Sequence, residues 1–161
     1  MILNGLANDL GGVGCPIAWS RVQRGSPLGD GVRALTSVNG SAADAIFVLQ
    51  GYSKASEHRG EFPGLVDQVM RIANGRPVVW TLYGRTSDCS AGYTRTLDGF
   101  NMKLLATAQQ MPNLRLVDYP ALIIAHPEYS QHRCPHLLAS GSRAVAAWMA
   151  GEVRRLVNFR Q

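Results

Sequence analysis

Lysine is almost absent. The 161-residue chain carries 16 basic side chains against 11 acidic ones, and only Lys54 and Lys103 among the basic ones are lysines. Its net charge of +5 is therefore arginine charge, spread along the whole length. A nucleic-acid binder gathers basic residues into a stripe interleaved with aromatics or into a recognisable motif, and neither is present. The densest group, Arg154, Arg155 and Arg160, suits a solvated last helical turn whose cations complement the helix dipole. Long apolar runs are also missing: runs such as AIFVL at 45–49 and ALIIA at 121–125 stop after five residues, and a bilayer needs roughly twenty. No membrane span is expected. The opening MILNGLANDL has no basic region leading into a long apolar stretch, so no signal peptide is expected in this chain, and its localisation stays open. Cysteine is scarce, and Cys15, Cys89 and Cys134 form no C-x-x-C pair, which argues against a structural zinc site. Gly11, Gly12 and Gly14 lead into Pro16 instead of opening a helix, so the phosphate-loop fingerprint of a nucleotide-binding flavodoxin-like protein fails.

What is present is a globular composition, 46% apolar and 17% charged, at a length that suits one domain over residues 1–161. Short apolar runs alternate with helical patterns. AIFVL (45–49) reads as a buried strand and leads into a polar loop. Pro63 then suits a first helical turn, Leu65, Val69 and Ile72 recur at helical spacing, and Asn74 and Gly75 stop the helix. PVVWTLY (77–83) is the next strand. Leu97, Phe100, Leu104 and Ala108 mark a second helix, ended around Pro112. LRLVDY (114–119) makes a third strand, and a long loop through Pro120, Pro127 and Pro135 follows. Ser140 or Ser142 caps a last helix with Val145, Trp148, Met149, Val153 and Leu156 on its buried face. Upstream, IAWSRV (17–22) fits an edge strand, LGDGVRAL (28–35) a short helix, and residues 4–10 a helix closed by Gly11 and Gly12.

Strand and helix alternating in this way predict βαβ units, hence a parallel sheet covered by helices on both faces. Ligand chemistry in such a sheet gathers at the carboxyl ends of the strands. Four loops should line that edge: the turn at 24–26, the loop from Gln50 and Gly51 to Tyr52 and Ser53, the loop 84–95, and the loop 120–136. The last holds His126, His132 and His136. Cys89 and Cys134 both fall in loops after strands and can meet as a disulfide, leaving Cys15 over. Pro135 breaks any helical presentation of the last two histidines, and no set drawn from the three histidines and Cys134 has a familiar ligand spacing, so no metal and no cofactor is expected.

The order of these pieces resembles the SGNH, or GDSL-type, hydrolase family. The likeness runs through FVLQGYS, RPVVWTLY, FNMKLLATAQQMPNLRLVDY and HRCPHLLASGSRAVAAWMAGEV, over roughly residues 4–157. It implies a three-layer α/β/α, flavodoxin-like domain and an esterase ancestry. In RVQRGSPLGDGVRAL, Gly25 falls on the glycine that supplies an oxyanion-hole amide. The family's nucleophilic serine sits in a G-D-S turn after a central first strand; here MILNGLANDL looks like the helix after that turn, so that strand is missing or replaced. The family's third oxyanion donor, an asparagine, falls on or near Tyr52, beside Gly51. The acid of the family's D-x-x-H falls on Arg133, and the base on His136.

This pattern carries a chemical expectation. A serine hydroxyl becomes a nucleophile only when a histidine takes its proton, and the histidine works only if something stabilises its cation. Arg133 beside His136 would disfavour the imidazolium, and a ring in place of an oxyanion donor removes about 3 kcal/mol of transition-state stabilisation. The expected function is a pseudoenzyme, a binding or structural module in a larger assembly such as a phage virion or a cell-envelope complex. A protein partner or a second copy would supply or cover the missing strand. The alternative is an ester hydrolase with a rearranged or truncated Ser-His site, in which Ser53 or Ser26 attacks and Glu128 or Asp118 orients His136.

Overall fold

The computed structural model describes residues 6–12, 27–37, 43–49, 52–85, 88–130, 134 and 136–157. Three short strands, β1 (Ile46–Val48), β2 (Val78–Thr81) and β3 (Leu114–Val117), form a parallel sheet in the order β1-β2-β3. Register is set by apolar partners: Ile46 lies opposite Val78, which lies opposite Leu114. Every residue of the central strand β2 is buried, as expected of a parallel strand covered on both faces. Alternate residues serve different helices. Val78, Trp80 and Leu114 join a cluster with Phe62, Val66, Leu97 and Leu104, while Val79 and Val117 pack with Leu10, Ala150 and Val153.

The helices are α1 (Leu6–Gly12), α2 (Leu28–Ser37), α3 (Phe62–Ala73), α4 (Ala91–Gln110), α5 (Tyr119–Ala125) and α6 (Ala139–Val157). The apolar periodicity of α3, α4 and α6 is what buries them. Phe62 of α3 and Phe100 of α4 stack at 3.8 Å between ring centroids, joining the two helices over one face of the sheet. Asn74 ends α3 with φ of 47° and Gly75 follows at 82°, the left-handed pair that frees the helix C-terminus to turn. Ser90 starts α4 by accepting the Tyr93 N–H at 3.3 Å. Arg76 closes the opposite edge of the sheet: its guanidinium donates to the carbonyls of Ala73, Ile72 and Ala43, tying the end of α3 to the approach to β1.

Four expectations are corrected. The stretch after β3 is not one long loop. Pro120 lies in the first turn of α5, where its missing N–H costs nothing, and Pro127 opens a 3-10 turn, Pro127–Tyr129. The third strand stops at Val117, because the Asp118 side chain accepts the Ala121 N–H at 3.1 Å and begins the helix there. Gly11 and Gly12 lie within α1 instead of closing it. The last helix starts at Ala139, ahead of both serines, because the Leu138 carbonyl already accepts the Ser142 N–H at 2.8 Å. The candidate edge strand at 17–22 lies outside the described residues. No helix among the described residues is long and apolar enough to cross a membrane.

The first turn of α6 lies against the backbone of Tyr129, and a Cβ on Gly141 would sit 2.1 Å from the Tyr129 carbonyl oxygen. Further along the same helix, a Cβ on Gly151 would meet nothing within 4 Å. Urea unfolding of Gly141→Ala should show a loss of about 1–3 kcal/mol from overpacking, whereas Gly151→Ala should gain about 0.5–1 kcal/mol from helix propensity.

Candidate functional site

Each strand delivers a tyrosine to the carboxyl edge of the sheet. Tyr52 follows β1, Tyr83 follows β2 and Tyr119 follows β3, and all three are buried. The rings of Tyr52 and Tyr83 meet edge to face at 5.0 Å. The Gly84 N–H donates to the Tyr52 hydroxyl at 2.8 Å. Gly84 itself lies against Tyr119, so close that a Cβ there would stand 2.8 Å from the Tyr119 ring. From α4, the Tyr93 hydroxyl donates to the Tyr52 carbonyl at 2.8 Å. The carboxyl ends of these three strands are thus packed over by buried phenol rings.

Asn101 fixes the middle of this plug. Its side-chain oxygen accepts the Tyr83 N–H at 2.7 Å and its amide nitrogen donates to the Tyr83 carbonyl at 3.1 Å. One amide thus satisfies both backbone groups of Tyr83 just beyond β2.

The electrostatics follow from burial. Loss of solvation pushes the Tyr52 phenol well above its ordinary range, and the neighbouring Tyr119 and Tyr83 add to the effect. Burial raises Tyr83 and Tyr119 in the same direction and pushes Tyr93 up to about 12. None of the four is a base at neutral pH.

Ser53 occupies the turn immediately after Tyr52. His136 is exposed on the approach to α6, and among the described residues no hydroxyl or carboxylate hydrogen bonds to it. Asp118 caps α5. Glu128 pairs with a different histidine: its carboxylate lies 2.9 Å from His126 Nδ1, which holds the carboxyl below its usual value, and the His126 ring stacks on Tyr129 at 4.7 Å. Gly25, Gly51 and Arg133, together with Ser26 and His132, lie outside the described residues.

Cys89 and Cys134 form a disulfide, with their Cα atoms 4.9 Å apart. It joins the loop after β2 to the loop that carries His136. The second loop is also pinched at its base, where Ser130 and Leu137 form an antiparallel bridge and the Leu138 N–H donates to the Tyr129 carbonyl at 2.9 Å. Oxidation removes the Cys134 thiolate from any metal-binding role, and the described residues contain no group of three potential metal ligands.

No motif marks the plug in the sequence. The available signal was the recurrence of tyrosine just beyond every strand, at 52, 83 and 119. Asn101 was visible only as part of a helix motif, not as the group that pairs with Tyr83. No protein-family model matches the chain, and no curated protein matches it significantly.

Stability should fall above about pH 10, the ordinary tyrosine pKa, because the unfolded chain releases phenolic protons that the folded chain retains. Phenolate absorbance should show Tyr93 titrating near 12, with Tyr52, Tyr83 and Tyr119 ionising only as the protein unfolds. In the denatured, unreduced chain one thiol of the three should react with a maleimide, and reduction should release the other two. Closing a loop across a separation of 45 residues corresponds to about 4 kcal/mol in the chain-entropy model, so reduction should lower unfolding stability by about 2–4 kcal/mol.

Proposed function

We propose that this chain is a degenerate SGNH-type, flavodoxin-like domain that has given up ester hydrolysis and serves as a binding or structural module in a larger assembly, such as a virion or a cell-envelope complex. The observation that carries this reading is the engagement of Tyr52. An oxyanion donor must aim a polarised N–H at the space where substrate charge develops. At the position where the family resemblance expects that donor, a buried phenol instead accepts a hydrogen bond from the Gly84 backbone. The exposure of His136, with no described hydroxyl or carboxylate bonded to it, supports the same reading.

Two further observations favour an assembly role. Among the described residues β1 pairs on one side only, with β2, and an open sheet edge is a template for another strand. A partner protein or a second copy adding a strand at that edge fits this geometry. The Cys89–Cys134 disulfide suits a protein that works in an oxidising compartment or on a particle surface.

The test is hydrolysis itself. The purified chain should turn over p-nitrophenyl acetate no faster than free imidazole at matched concentration, and a fluorophosphonate probe should label no serine. Turnover above that level that disappears in His136→Ala, or a labelled Ser53, would refute the proposal and return the chain to the esterases.

A further inference from the structure

Beside the closed sheet edge lies an open cavity of about 390 Å³ between α3 and α4, within the range of small-molecule sites. Arg59, Arg95 and Lys103 contribute positive charge to its lining, and no acidic residue lines it. Asp67 compensates Lys103 at 2.9 Å, while Asp98 pairs with Arg85 and Glu61 lies 3.2 Å from His58 Nδ1, both outside the lining. The guanidinium groups of Arg59 and Arg95 have no hydrogen bond or ion pair among the described residues, and both residues are exposed. The first turns of α3 and α4 also border the cavity, so two positive helix ends add to the two uncompensated guanidinium groups.

The shape of the cavity adds a second argument. Gly99 stands in the middle of the 20-residue α4, where glycine disfavours the helix. No packing demands it, since a Cβ there would meet nothing within 4 Å. Its absence of a side chain keeps the cavity open against the apolar edges of Phe62 and Phe100, which complete the wall.

From this combination we infer a binding site for a small phosphate monoester, its phosphate held by Arg59 and Arg95 and a planar apolar group laid along the Gly99 face of α4. Guanidinium forks match phosphate oxygens two at a time, and the glycine face accepts a flat ring. The site is independent of the question of ester hydrolysis.

Isothermal titration calorimetry of the full chain tests it with adenosine 5′-monophosphate and phenyl phosphate as probes. At least one should bind saturably at one site per chain, and adenosine should not. Inorganic phosphate should bind at least about tenfold more weakly than the better probe, for want of the planar group's contacts. Arg59→Gln and Arg95→Gln should each weaken binding roughly tenfold, the scale of a lost charge-assisted hydrogen bond. Gly99→Leu should abolish binding while circular dichroism and thermal unfolding show the helix intact. Failure of both phosphate esters to bind overturns the proposal, as does binding unchanged by either arginine substitution or by Gly99→Leu. Equal affinity for inorganic phosphate overturns the assignment of the cavity to an organic ester.

Discussion

The hydrogen bond from the Gly84 N–H to the Tyr52 hydroxyl is the constraint on which the carboxyl edge of the sheet depends. It joins the segments leaving two adjacent parallel strands, in a place that water does not reach. A buried amide deprived of that acceptor would cost about 1–3 kcal/mol, so the phenol is held in place as firmly as it holds the loop. Gly84 can make the bond only because it has no Cβ to strike Tyr119, which brings the third strand's exit into the same arrangement. Asn101 then secures Tyr83 from α4. Three strand ends and one helix thus share a single packed cluster, and a reaction centre at that edge would have to displace it.

Closing the middle of the edge moves its electrostatics to the flank. Parallel βα units point their helix N-termini toward the strand ends, and that positive field persists whether or not the central crevice is open. In this protein the field meets Arg59 and Arg95 on one side of α3 and α4, while Asp67 compensates Lys103 and Asp98 and Glu61 pair with Arg85 and His58. The positive lining of the cavity thus lies in the helical layer and not on the sheet axis.

The parts legible in the sequence were those governed by local periodicity. The β-branched runs around Phe47, Val79 and Leu116 mark the strands, and the spacing of Val69, Leu104 and Met149 marks three long helices, because burial on one face imposes its period on the chain. The pairing of Cys89 with Cys134 was accessible because parallel topology brings strand-end loops together. Helix α5 escaped notice because Pro120 and Pro127 suggest an irregular chain, whereas both sit in first turns where proline fits. The tyrosine plug and the basic cavity escaped for a different reason. Tyr52, Tyr83 and Tyr119, like Arg59 and Arg95, are separated by more than thirty or by thirty-six positions or so in the chain, and only tertiary packing makes neighbours of them. Nothing in the residues between them encodes that meeting locally.

The covalent link between Cys89 and Cys134 encloses all of α4, the exposed turn at Met111 and Pro112, β3 and α5. A protease that nicks the chain anywhere inside this loop therefore produces two peptides that do not part. Strands β2 and β3 therefore stay covalently joined after such a cut, wherever in the loop it falls.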